Sequence, residues 1–211
     1  MNSLIERLLS PDRLYNASEV LGRQSVVPAS AGVYAWYFSQ VPGFVDATAC
    51  HRFGDHTLLY VGISPKAPPT NGKRPSQSTL RKRLQTHYGG NAEGSTLRLT
   101  LGCLLSEHLG IKLRRVGNGT RHTFTNPGEQ VLDRWMQNHA FVTWVETNRP
   151  WELESQILAS GLHLPLNIDG NCQPETVAAL SALRSKAKQQ AKEMDIIADN
   201  GGPRKALRVQ V

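Results

Sequence analysis

The sequence predicts an α+β fold, and three observations carry that prediction. Segments rich in aromatic and β-branched residues, at 33–38, 58–61 and 141–145, read as strands. Segments with helical spacing of apolar residues lie around them, without the regular strand–helix alternation of a parallel sheet. Apolar residues make up 39% of the 211 and charged residues 19%, enough to bury a core and too apolar for a disordered chain. The three strands are expected to form a small core sheet flanked by helices.

Each element has a local reason. Leu4, Ile5, Leu8 and Leu9 share a face over residues 2–9, which predicts a short amphipathic helix. Pro28 to Gly32 is a turn or linker, and Val33 to Phe38 is the first strand. Residues 39–56, with Pro42, Gly43 and Gly54, read as a loop or insertion. Leu58 to Val61 is the second strand, closed by Gly62, and Ser64 to Ser78 is a loop rich in Pro, Gly, Asn and Ser. Ser78 or Thr79 can cap a helix that runs to about Tyr88 and stops at Gly89-Gly90. Leu97, Leu101, Leu104, Leu105 and Leu109 give one helix over 96–109 its apolar stripe. Ile111 to Val116 reads as a strand that turns at Gly117-Asn-Gly119 into a hairpin ending near Phe124. Pro127 begins a helix reaching about His139, and Phe141 to Val145 is the third core strand. Asn148 and Pro150 start a helix that Gly161 ends. Pro174 starts a long last helix to about Ile197, and Gly201 to Val211 is a basic tail.

Composition narrows the function. Lys and Arg total 24 against 17 Asp and Glu, giving a net charge of +7 and a pI near 9.6, which favours a polyanionic partner. From Lys66 to Ala92 there are six basic residues (Lys66, Lys73, Arg74, Arg81, Lys82, Arg83) and no acid. The stretch from Arg184 to Val211 has seven basic residues against three acids. Such clusters suit phosphate contact. No apolar run is long enough for a membrane span, and Met1 to Pro11 lacks the order of a secretory signal. Cys50, Cys103 and Cys172 are too scattered for a disulfide framework, so a reducing, cytoplasmic compartment is expected. Cys50, His51 and His56 lack zinc-ligand spacing, and Gly117-Asn-Gly119 lacks the Lys-Ser/Thr of a phosphate loop.

The residues that carry chemistry stand in a definite order. Gly32-Val33-Tyr34 opens the first strand and Tyr60-Val61-Gly62 closes the second. Arg83 lies on the next helix, with His87 one turn further on the same face. Glu154 lies on a later helix, and Asn167 comes shortly after Pro165. Singly, each also suits an ordinary position. The tyrosines could be core aromatics, Arg83 a solvated cation, His87 a helix-end residue and Glu154 a surface charge, with Glu152 its competitor. In this order they resemble the GIY-YIG nuclease family, over roughly residues 31–63, 78–89 and 141–168. Val replaces Ile in both tripeptides, and the 25-residue spacer from Ala35 to Leu59 is longer than in compact members. Long insertions resemble the restriction-endonuclease branch. The expected organisation is an N-terminal helix and linker over 1–30, a nuclease domain over 31–170 with insertions at 39–56 and 90–140, and a C-terminal helix and tail over 171–211.

The resemblance implies a metal-dependent endonuclease that cleaves DNA, leaving 3′-hydroxyl and 5′-phosphate ends. Such a reaction needs an activated water, charge stabilisation at the phosphorus and help for the leaving oxygen. The family parallel gives Tyr34 the activation of water and Tyr60 the positioning of the phosphate. Arg83 supplies a permanent planar cation. Glu154 would hold Mg²⁺ or Mn²⁺, for which one carboxylate with waters and substrate suffices. His87 can accept the proton of Tyr34, and Asn167 can orient Tyr or Glu side chains or a backbone turn. Gly32 and Gly62 allow close backbone approach. Lys66, Lys73, Arg74, Arg81 and Lys82 are expected along the DNA backbone. RNA stays open as a substrate, and a homodimer would match a palindromic site. The alternatives are a non-catalytic nucleic-acid-binding module on the same scaffold and a basic interaction protein whose tail docks an acidic partner.

Overall fold

Strand β1 (Gly32–Phe38) is the centre of the molecule. All seven of its residues are buried, and it pairs antiparallel with β3 (His56–Ser64) on one side and β6 (Ala140–Glu146) on the other. The coordinates are a computed structural model that describes residues 3–171 and 173–200. The architecture is mixed α+β, as predicted, but the sheet has four strands rather than three, in the order β2-β3-β1-β6. The extra strand, β2 (Arg52–Phe53), lies inside the segment expected to be a loop. Gly54, at φ +56°, and Asp55 form a two-residue turn that pairs Phe53 with His56. A Gly-Asp pair at such a turn is a hairpin signal.

Register places the two tripeptides together. Tyr34 lies opposite Gly62, and Trp36 lies opposite Tyr60, so Tyr34 and Tyr60 are diagonal neighbours on one face. Pairing slips between Trp36 and Tyr37, where Leu59 is the extra residue of a bulge. The bulge explains why β3 does not alternate simply. Leu59 and Tyr60 join Tyr34, Trp36 and Phe38 on one face, while Leu58 and Val61 join Val33, Ala35 and Tyr37 on the other.

Helices cover both faces. The Tyr34 face packs against α3 (Leu80–Gly89), α4 (Thr96–Leu104) and α6 (Thr125–His139). The opposite face packs against α1 (Ser3–Leu9) through Ile5 and Leu8, and against α7 (Pro150–Ala159) through Leu153 and Ile157. Chain segments also pair with β6 and with the part of β3 that extends past β2. Tyr15 exchanges both backbone hydrogen bonds with Val142 of β6, and Leu166 N donates to Leu59 O of β3.

Several boundaries differ from expectation. A short helix not anticipated, α2 (Ala17–Leu21), is set by a capping box between Asn16 and Glu19. The helix expected over 96–109 is two helices, α4 and α5 (Ser106–Leu109), with a turn at Leu105. α4 has seven buried residues of nine, whereas α5 has none, so the chain turns to return Glu107 and His108 to water. The strand expected from Ile111 is shorter: β4 (Arg114–Val116) pairs with β5 (Arg121–Thr123) across the predicted turn. α6 begins at Thr125, ahead of Pro127.

α8 (Pro174–Glu193) ends before Ile197 because the β4–β5 hairpin captures the backbone from Met194 to Ile197. The Arg115 guanidinium donates to the carbonyls of Ala191, Lys192 and Met194, supplying acceptors at a helix end with their missing partners. Ile197 then pairs with the backbone of Arg115 and Gly117.

Cys50 and Cys103 are free and buried. Cys172 and the basic tail from Gly201 lie outside the described residues. Among the described residues, no helix is long and apolar enough to cross a membrane.

Candidate active site

A cavity of about 510 Å³ opens where β1, β3, α3 and α7 meet, and it collects residues far apart in sequence. Tyr34, Tyr60, Gly62, Lys66, Arg83, Glu154 and Asn167 line it. His87 stands behind Tyr34, fully buried, with its Nε2 2.8 Å from Tyr34 Oη. Thr79 caps α3 by accepting from Lys82 N, which fixes the helix start and so the direction of Arg83 and His87.

The glycines make room that any side chain would fill. A Cβ on Gly62 would lie 2.5 Å from Tyr34 Oη, and one on Gly32 would lie 2.3 Å from the Val145 carbonyl oxygen. The hydroxyl end of the Tyr34 ring therefore lies against the glycine of the second tripeptide, and its ring centroid is 6.5 Å from that of Tyr60.

Arg83 reaches both the tyrosine and the loop after its own helix. Its Nε donates to Tyr34 Oη at 3.4 Å and its Nη1 to Gly94 O at 3.0 Å. Burial pushes the Tyr34 hydroxyl well up, Tyr60 and Glu154 add to this, and Arg83 pulls it down. Tyr60 is raised for the same first reason and also opposed by Arg83. Burial, with the charges of Arg83 and Arg98, holds His87 well below its ordinary value, so the imidazole is neutral at physiological pH.

Glu154, Glu152 and Asn167 lie in different surroundings. Glu154 lines the cavity, whereas Glu152 is exposed and pairs with Arg149 at 2.8 Å. Burial pushes the Glu154 carboxyl up to about 7, Lys66 opposing and Asp169 reinforcing. Asn167 touches neither a tyrosine ring nor Glu154 in its hydrogen bonds. Its side chain accepts from Val61 N at 2.9 Å and donates to Val61 O at 2.8 Å, acting as a strand partner for the residue between Tyr60 and Gly62.

The expected DNA-binding residues divide. Lys66, Lys73, Arg74 and Lys82 are exposed, and Lys66 lines the cavity. Arg81 is exposed too, but its Nε is held by Val27 O at 2.7 Å. The sequence reading missed Thr96, Thr100, Trp151 and Asp169 on the cavity wall, and assigned Arg184 only to a basic stretch although it lines the same cavity. Trp151 stands one helical turn before Glu154, a spacing that could have flagged it.

A buried ion network supports the site from behind. Arg98, Glu129 and Asp133 have fully buried side chains, with Arg98 2.7 Å from Glu129 and 2.8 Å from Asp133. Arg98 Nη1 also donates to the carbonyls of His87 and Tyr88, which end α3. Glu129 Oε1 accepts from the backbone of Ala92 and Phe124. The network ties α3, α4 and α6 into one support for His87.

The family model for the GIY-YIG catalytic domain matches residues 32–189, about three quarters of the chain. The chain belongs to the GIY-YIG family. Its matched span takes in both tripeptides, Arg83, Glu154 and Asn167, and it indicates a nuclease-type function on nucleic acid. No curated protein and no solved structure matches the chain.

GIY-YIG nucleases are generally dependent on a divalent metal, and the cavity's donor set fits one. Its carboxylates are Glu154 and Asp169, oxygen donors suited to a hard cation that keeps several waters. Among the described residues, no cluster of three or more His, Cys, Asp or Glu has the form of a protein-enclosed metal site.

Proposed function

We propose that this GIY-YIG protein is a metal-dependent endonuclease that hydrolyses DNA phosphodiester bonds, of the site-specific restriction type. One observation carries the reading: Tyr34, Tyr60, Arg83 and Glu154 line a single cavity. Lys66 on the cavity wall and the exposed cations Lys73, Arg74 and Lys82 on the segment that follows it support a nucleic-acid backbone as substrate. The long segments at 39–56 and 90–140, read as insertions, support sequence-specific recognition, and a homodimer would suit a palindromic site.

In this reading Tyr34 takes a proton from the attacking water, while Arg83 and Tyr60 hold the phosphate. A divalent cation bound by Glu154 would stabilise charge on the leaving 3′ oxygen. Tyr34 cannot act unaided, because burial favours its neutral form; the cation charge of Arg83 beside its hydroxyl offsets only part of this, and a bound divalent cation would have to supply the rest.

Arg83→Ala tests the assignment. A preorganised donor to the transition state contributes roughly 10²–10³ in rate. Single-turnover cleavage should slow by about that factor, while DNA affinity measured by anisotropy falls far less. Cleavage near the wild-type rate would remove Arg83 from the machinery.

Cation binding should also depend on pH. Glu154 must lose its proton to bind a cation, and its carboxyl sits at about 7. Calorimetric titration with Mn²⁺ should show affinity roughly tenfold weaker at about pH 6 than at about pH 8. A flat profile would place the cation elsewhere.

A further inference from the structure

Ser95 decides which way the proton points between His87 and Tyr34. It is the N-cap of α4 and only 1% exposed, and its Oγ accepts from Arg98 N at 3.2 Å. The same Oγ lies 2.7 Å from His87 Nδ1. A hydroxyl has one proton to donate, and burying that proton without an acceptor is unfavourable. Arg98 N–H already occupies an accepting lone pair. Among the described side-chain contacts of Ser95, the remaining partner is the imidazole nitrogen, so the hydroxyl donates to Nδ1.

A neutral imidazole that accepts at Nδ1 carries its proton on Nε2. That Nε2–H faces Tyr34 Oη at 2.8 Å, and Arg83 Nε faces the same oxygen at 3.4 Å. We infer that Ser95 is a positioning residue that fixes His87 as the Nε2–H tautomer, so that His87 and Arg83 both donate to the Tyr34 oxygen. The polarity is the reverse of the sequence expectation, in which His87 accepts the tyrosine proton. Here the phenolic proton is directed away from His87 toward the cavity, which Tyr34 lines and Ser95 does not, and the two N–H groups hold the oxygen once that proton is gone.

The catalytic meaning rests on the reading of Tyr34 as the base. Tyr34 first loses its phenolic proton to solvent in the cavity it lines, and the phenolate oxygen then takes a proton from the attacking water as the water oxygen bonds to phosphorus. The bond from phosphorus to the 3′ oxygen breaks, its electron pair leaves with that oxygen, and solvent protonates it. Ser95 touches none of these atoms and acts through His87. Its Oγ is also held by the backbone N–H of Arg98, whose side chain belongs to the buried ion network.

The test is ¹⁵N NMR of the histidine-labelled full chain without DNA or cation. The expected result is an unprotonated Nδ1 and a protonated Nε2 on His87. A protonated Nδ1 in the wild-type protein overturns the inference, whatever the variants do. Ser95→Asp keeps a capping acceptor but has no proton to give, so it should move the proton to Nδ1 and slow cleavage by roughly 10²-fold. Ser95→Thr retains the hydroxyl and should keep the wild-type tautomer. An unmoved tautomer in Ser95→Asp would also overturn the inference. Tyr34→Phe separates the two claims: full cleavage by that variant sinks Tyr34 as base and leaves the tautomer result standing.

Discussion

Glu154→Gln should slow cleavage by roughly three decades or more in single-turnover assays with Mg²⁺. The substitution keeps size and shape but removes the charge that would hold a cation, and metal stabilisation of a phosphoryl transition state is worth several kcal/mol, at about 1.4 kcal/mol per decade. DNA affinity measured in chelator should change little, because the proposed phosphate contacts would come from Lys66 and the exposed cations of the segment after it rather than from a carboxylate. The fold should not suffer. The Glu154 carboxyl sits at about 7, above the ordinary carboxylate range, because it is partly desolvated. Between that ordinary range and about 7 the folded protein therefore holds a proton that the unfolded chain releases, and stability falls as pH rises through this window. Glutamine removes that loss, so the variant should melt at or above the wild-type temperature at about pH 8. A variant that melts early or cleaves normally would contradict the assignment.

Arg98→Ala should be the most damaging single change to stability. The side chain is fully buried and pairs with Glu129 and Asp133, which are equally buried. Removing one partner of a buried ion pair leaves uncompensated charge and costs about 3–5 kcal/mol. The end of α3 would also lose the guanidinium that takes the carbonyls of His87 and Tyr88. For a chain of this length the melting temperature should drop by roughly 6–20 °C, read by calorimetry. A loss under about 1 kcal/mol would mean that the network is dispensable.

What the sequence made legible was local. Tyr34 and Tyr60 lie on dense apolar strands whose pattern alone identifies them, and Thr79 and Pro150 mark the starts of helices bearing Arg83 and Glu154. What it hid was long-range. Nothing near Arg98 in sequence announces Glu129 or Asp133, since their attraction exists only after α4 and α6 meet. Ser95 reads as a helix cap, and its bond to His87 depends on how α3 packs beside α4. The end of α8 is hidden for the same reason: helix propensity continues past Glu193, but Arg115 and the β4 edge compete for that backbone. β2, by contrast, has a local signal, since Gly54-Asp55 is itself a hairpin turn.

In the proposed reaction Tyr34, Arg83 and Glu154 act on one phosphate with one cation. Incubating long, unmodified genomic DNA with the wild-type protein and with Tyr34→Phe, in Mg²⁺ and in chelator, tests it most directly. Fragments with 5′-phosphate and 3′-hydroxyl ends are expected from the wild-type protein in Mg²⁺ alone. DNA that is bound yet intact under every condition, or cut equally well by the phenylalanine variant, would contradict it.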